Sequence, residues 1–77
     1  MQDIDKKSLY KFGKGIKKLR RQYKWSLSKL SHRAGIAPST LKRIESGDSE
    51  PKYLTIEKIA YSLNISLVKL FELIEEL

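Results

Sequence analysis

The chain has 77 residues, of which 40% are hydrophobic and 32% charged, with no cysteine and a formal net charge of +7. That length suits one small domain, residues 1–77, which buries only about 60 to 65% of its unfolded surface, has no disulfide to reinforce it and gains from self-association. No uncharged run approaches the about 20 apolar residues of a membrane span, and no apolar block before a small-residue cleavage site marks a secretory leader. The absence of cysteine suits a reducing compartment, so the expectation is a cytoplasmic protein with no membrane partner.

In chain order, Leu9, Phe12, Ile16, Leu19 and Tyr23 recur at steps of three and four, which stacks them on one side of a first helix. Its other sides are Lys and Arg. Gly13 and Gly15 lie inside it at about 1 kcal/mol each relative to Ala, so either the first turns fray or a neighbour packs closely there. Ser26 is a good N-cap for a second helix, with Trp25 before it placed to pack on Leu30. This helix runs to about Ala34, where Gly35 stops it. Ile36 turns inward, and Pro38 opens the third helix at the position where a missing N–H does no harm.

The third helix covers residues 38–46, buries Leu41 and Ile44, and ends at Gly47, the residue best suited to a left-handed stop. After a polar loop to Pro51, the residues Tyr53, Ile56, Ile59, Ala60 and Leu63 mark a fourth helix, with Asn64 as its left-handed stop. Ser66 caps a last helix reading LVKLFELIEEL, in which seven of eleven residues are apolar, more than one core-facing stripe needs. No internal repeat, low-complexity segment, interdomain linker or strand signal interrupts the series. The expected fold class is an all-α bundle of five helices.

Charge is unevenly placed along this series. Between Asp5 and Glu45 stand thirteen basic residues and no acid, whereas from Ile44 onward three Lys face seven acids, a net of −4. A chain that confines positive charge to its first half presents an electropositive face that attracts a polyanion, with nucleic acid the leading partner. Two short helices joined by a three-residue turn that starts with Gly form the local pattern of a helix-turn-helix, whose second helix enters the major groove. Leu30, Ala34, Ile36, Leu41 and Ile44 are its packing positions, and Ser39, Lys42, Arg43 and Ser46 are left outside. An ordinary αα-corner needs the same apolar spacing but no basic, acid-free face.

The stretches GKGIKKLRRQYKWSLSKLSHRAGIAPSTLKRIESG and EPKYLTIEKIAYSLNISLVKLF resemble the lambda-repressor/Cro-like, or XRE, helix-turn-helix family from residue 9 to about 74. The resemblance implies a five-helix, bacterial or phage-encoded transcriptional regulator that binds double-stranded DNA, commonly as a homodimer on a palindrome. It implies an ion pair between Arg20 and Glu45, which also accounts for the single acid of the third helix. By the same match Pro38, Ser39, Arg43 and Thr40 read bases, with Arg43 able to give two hydrogen bonds to one guanine. Phosphates fall to the backbone near Leu27 and Ser28 and to Lys17, Lys42, Ser46 and Lys52.

The sequence departs from the family at several points. Leu27 stands where Gln commonly adds a phosphate contact, and Lys29 where an acid or Gln completes a capping box. Ser31 replaces a frequent Ala at the helix crossing. Lys24 stands where Gly often ends the first helix and must accept or avoid a left-handed conformation. Asp48 and Glu50 place acids in a loop that is often basic or neutral in related proteins. His32 has no Cys or second His to form a metal site, no enzyme site is visible, no cofactor is expected, and Trp25 reads as core rather than as a platform for a base.

The apolar excess of the last helix assigns homodimer contacts to Ile65, Leu67, Leu70, Leu73, Ile74 and Leu77. An alternative is an antitoxin or adaptor of the same fold, docking a partner protein on that helix. Small stand-alone members of the family include phage repressors and restriction–modification controllers, and the size and last helix suit the controller type. A chain this short leaves no room for a separate effector-binding domain.

Overall fold

Five helices follow one another in the computed structural model, which describes residues 3–77 and side chains from residue 6 onward: α1 (Asp3–Gln22), α2 (Leu27–Ala34), α3 (Pro38–Glu45), α4 (Tyr53–Ser62) and α5 (Leu67–Glu76). No strand occurs among the described residues, and the architecture is the all-α bundle of five helices expected.

The helices end alike. After α1, α2, α3 and α4 the residues Lys24 (φ 59°), Gly35 (φ 70°), Gly47 (φ 76°) and Asn64 (φ 60°) turn left-handed. In each case the next N–H reaches back to the last turn, as in Trp25 N–H to Arg20 O at 3.1 Å and Ile36 N–H to Ser31 O at 3.0 Å. This closure satisfies carbonyls that a helix end leaves without partners. Lys24 therefore accepts the left-handed conformation, at the steric cost its Cβ imposes. Tyr23, expected on the α1 stripe, lies just past the helix, where its hydroxyl donates to Leu63 O at 2.8 Å. Ser26 and Ser66 accept from Lys29 N–H and Lys69 N–H, each at 3.0 Å, and so fix the starts of α2 and α5.

Every helix contributes to one core: Ile16 and Leu19 from α1, Leu30 and Ala34 from α2, Leu41 and Ile44 from α3, Ile59 and Ala60 from α4 with Leu63 at its end, and Leu70 and Ile74 from α5. Leu70 at 0% exposure and Ile74 at 4% are consequently unavailable to a second copy, which corrects their assignment to a dimer surface. Ile65, Leu67 and Leu73 are half-buried against this core, and of the six only Leu77 is exposed.

The rest of the apolar surface of α5 has two fates. Part is covered by α1, which starts at Asp3, before the apolar series that opens at Leu9. The Phe12 and Phe71 ring centres lie 6.1 Å apart, and Lys11 Nζ meets Glu75 Oε2 at 3.0 Å. Part faces solvent, including Val68, Phe71 and Leu77 at 67, 43 and 43% exposure. Close packing also resolves the two glycines of α1, since a Cβ at Gly15 would stand 2.8 Å from Ile74 Cγ1.

Candidate nucleic-acid interface

The stop at Gly35 and the start at Pro38 leave Ile36 and Ala37 to turn the chain between α2 and α3. Ile36 packs on the core and anchors the corner. With Leu41 and Ile44 turned inward, the residues left outside on α3 are Pro38, Ser39, Thr40, Lys42 and Arg43, all exposed. Their side chains share a surface with no acid of α3, because Glu45 is turned away.

Glu45 is held by a two-pronged bond from Arg20: Nε donates to Oε2 at 2.8 Å and Nη2 to Oε1 at 2.9 Å. Arg20 Nη1 donates in addition to Trp25 O at 3.0 Å. Only 10% of the Arg20 side chain and 5% of the Glu45 side chain are exposed. The bond from Glu45 raises the pKa of Arg20 above its ordinary value, burial opposes the rise, and the charge of Glu45 adds to it. The pair that the resemblance implied is thus present as a buried link between α1 and α3, and the single acid of α3 adds no charge to its outer surface.

Around α3 the other expected residues are spread over three elements. Thr40, Arg43, Lys52 and Thr55 line one open groove together with Glu50 and Pro51, which places Lys52, the N-cap of α4, beside the third helix. Lys17 is exposed on α1, and Ser28 is exposed and Leu27 half-buried in the first turn of α2. The first-turn N–H groups of a helix have no intrahelical acceptor, and at α2 the Lys29 N–H is already taken by Ser26.

Ser46 is the exception among the expected phosphate contacts. Its hydroxyl lies 2.9 Å from Lys42 O, 3.3 Å from Arg43 O and 3.1 Å from Asp48 Oδ2. A hydroxyl occupied by its own backbone and standing beside a carboxylate is poorly placed for phosphate, so Ser46 closes the helix end instead.

Trp25 is half-buried against the core, and its ring carries two cations that the sequence reading missed, Lys29 Nζ at 5.4 Å and Arg33 Cζ at 5.1 Å from its centre. The signal was available in the spacing of four and eight residues, which sets both side chains above the residue preceding the cap. His32 and Tyr10, Tyr53 and Tyr61 are exposed. Among the described residues no group of His, Cys, Asp or Glu is arranged to hold a metal ion, and no helix is long and apolar enough to cross a membrane.

A Gly-stopped helix, a short turn and a Pro-started helix with its polar face outward, locked onto α1 by a buried ion pair, constitute a helix-turn-helix within a five-helix frame. The chain belongs to the helix-turn-helix domain family, whose model matches residues 13–76. It is 42% identical over 50 residues, 65% of this chain, to the HTH-type transcriptional regulator SutR of Escherichia coli K12, of whose length it spans 28%. The restriction-modification controller protein C.AhdI from Aeromonas hydrophila superposes with a TM-score of 0.80 at 30% identity, over 83% of this chain and 97% of that one. An HTH_3 family transcriptional regulator from Vibrio cholerae gives a TM-score of 0.81 at 29% identity, over 88% of this chain and 38% of that one.

Proposed function

We propose that this protein is a cytoplasmic, sequence-specific regulator of transcription that binds double-stranded DNA as a homodimer on a palindromic operator. The observation that carries the reading is the outer face of α3, where Pro38, Ser39, Thr40, Lys42 and Arg43 stand exposed on a helix fixed by the Arg20–Glu45 fork. Membership of the family and the likeness to a restriction-modification controller, 97% of whose length is matched, support it.

In this reading α3 lies in the major groove. Arg43 has no carboxylate within ion-pair distance among the described residues, so its guanidinium is available to guanine O6 and N7. Ser39 and Thr40 offer hydroxyls to neighbouring bases, and Pro38 an apolar contact to a thymine methyl. Lys17, Lys42 and Lys52 neutralise phosphates on either side, and the first-turn N–H groups of Leu27 and Ser28 hold another. Two copies meet through α5 and the residues before it, where Ile65, Leu67, Leu73 and Leu77 are joined by the exposed Val68 and Phe71.

Selection of duplexes from a randomised library by the purified protein at near-physiological salt tests the whole reading. The expected product is a palindrome with half-sites about 10 base pairs apart and a fixed guanine in each. Retention of DNA without any motif refutes sequence-specific regulation. It leaves the exposed stripe of α5 as a docking surface for a partner protein, as in an antitoxin or adaptor.

A further inference from the structure

The C-terminal end of α3 is seated on α1 by backbone against backbone. A Cβ at Gly13 would stand 2.2 Å from the Ile44 carbonyl oxygen, 2.8 Å from that of Glu45 and 3.0 Å from the Glu45 carbonyl carbon. Just beyond the helix, a Cβ at Gly47 would stand 3.0 Å from Tyr10 Cα and 3.2 Å from Tyr10 N. All of these are main-chain atoms, which have no rotamer to change. The separations therefore record where the two helix axes lie. The Arg20 fork on Glu45 ties the same turn of α3 a third time, whereas at the other end the N-cap Ala37 makes no side-chain hydrogen bond.

From this seat we infer that Gly13 is a positioning residue for DNA reading, a role that rests on the proposal above. It touches no base. Its bare Cα lets the last carbonyls of α3 approach α1, and that approach sets the angle at which Pro38, Ser39 and Arg43 are presented. A methyl group at residue 13 must push Ile44 O away by about 1 Å to reach an ordinary carbon–oxygen contact. A recognition surface works within about 0.5 Å of its productive geometry. The displacement enters at Ile44, one residue from Arg43, so the guanidinium moves with it. Non-specific binding, which depends on charge near the phosphates and tolerates many orientations, does not need this seat.

Gly15 supplies the control. It lies in the same helix and gains the same propensity from Ala, but the atoms nearest its Cβ belong to the side chain of Ile74 on α5 and not to a backbone. The experiment compares the affinity of each full-length variant for the selected operator with its affinity for a scrambled duplex at one salt concentration. Gly13→Ala is expected to lower that ratio by about tenfold or more while scrambled-duplex binding stays within about twofold of the unaltered protein. Gly15→Ala is expected to leave the ratio within about twofold.

A Gly13→Ala protein that folds, as judged by circular dichroism, and retains the ratio overturns the inference, as does an equal loss from Gly15→Ala. Where Gly13→Ala fails to fold, Gly47→Asn applies the same displacement more gently. Asn tolerates a positive φ, and its Cβ needs only a few tenths of an ångström of room from the Tyr10 backbone. It is expected to lower the ratio about threefold, and an unchanged ratio overturns the inference. Absence of any operator preference in the unaltered protein overturns the DNA-reading proposal itself, before any variant is compared.

Discussion

Removing Arg20 tests how far the helix-turn-helix depends on α1. In Arg20→Ala the Glu45 carboxylate, with 5% of its side chain exposed, loses both prongs of the fork, and Trp25 O loses its donor. Leaving one member of a buried pair without its partner costs about 3 to 5 kcal/mol. At about 0.05 to 0.15 kcal/mol per residue, a domain of this size has only about 4 to 12 kcal/mol in total. Arg20→Ala is therefore expected to remove about a quarter or more of the stability and to populate unfolded chain at growth temperature. The reverse change, Glu45→Ala, should cost less, because Arg20 keeps Trp25 O and its long side chain can turn toward water. Urea unfolding followed by circular dichroism gives both values, and the double variant gives the coupling between them. Because Arg20 is raised above its ordinary pKa by Glu45, the guanidinium's share is present at every pH below its unfolded value and is lost only in strong alkali. It therefore adds no pH dependence near neutrality. A coupling below about 0.5 kcal/mol would falsify the view that this pair holds α3 in place.

Three other outcomes are expected. Arg43→Ala should cost about 1 to 3 kcal/mol of binding and relax one base position, while Lys17→Ala should weaken all duplexes alike and lower the salt slope by about one; equal losses on every sequence from both, measured by anisotropy titration, would remove the division between base and phosphate contacts. Lys24→Gly should raise stability by about 0.5 to 1 kcal/mol, since φ at residue 24 is 59° and glycine carries no Cβ to crowd there; a lower urea midpoint would contradict that account of the turn. Val68→Asp, at a residue 67% exposed, should leave the fold intact and separate the two copies at tens of micromolar protein in sedimentation. A monomer before the change would remove the dimer from the proposal.

Much of the architecture was legible because local chemistry dictates it. Ser26 and Ser66 cap as expected, Gly35, Gly47 and Asn64 stop their helices left-handed, and the apolar spacings fall on the core side of their helices except at Tyr23, which lies past α1, and Tyr53, which is exposed. What sequence left open depends on relations between distant segments. Periodicity begins at Leu9, so nothing in the pattern signalled that α1 extends back to Asp3 or that Phe12 would meet Phe71 across to α5. An apolar stripe looks the same whether it faces its own core or a second copy, so the pattern of α5 does not distinguish the buried Leu70 and Ile74 from the exposed Val68. Ser46 stood at an outward position on α3, but spacing does not show that its hydroxyl turns back to Lys42 O and Asp48. At Gly13 the alternatives of fraying and close packing were separable only once Ile44 O was found against it.

The surroundings of Trp25 make the protein its own optical probe. It is the single tryptophan of the chain, with Tyr23 at 5.3 Å between ring centres and two cations over its face. Indole emission responds to nearby charge and to water, so a phosphate drawing Lys29 or Arg33 away from the ring changes its intensity without any label. Transfer of excitation from Tyr23 to Trp25 weakens as that distance grows. The emission therefore follows the junction between α1 and α2, and one cuvette separates a ligand settling near that junction from the junction coming apart.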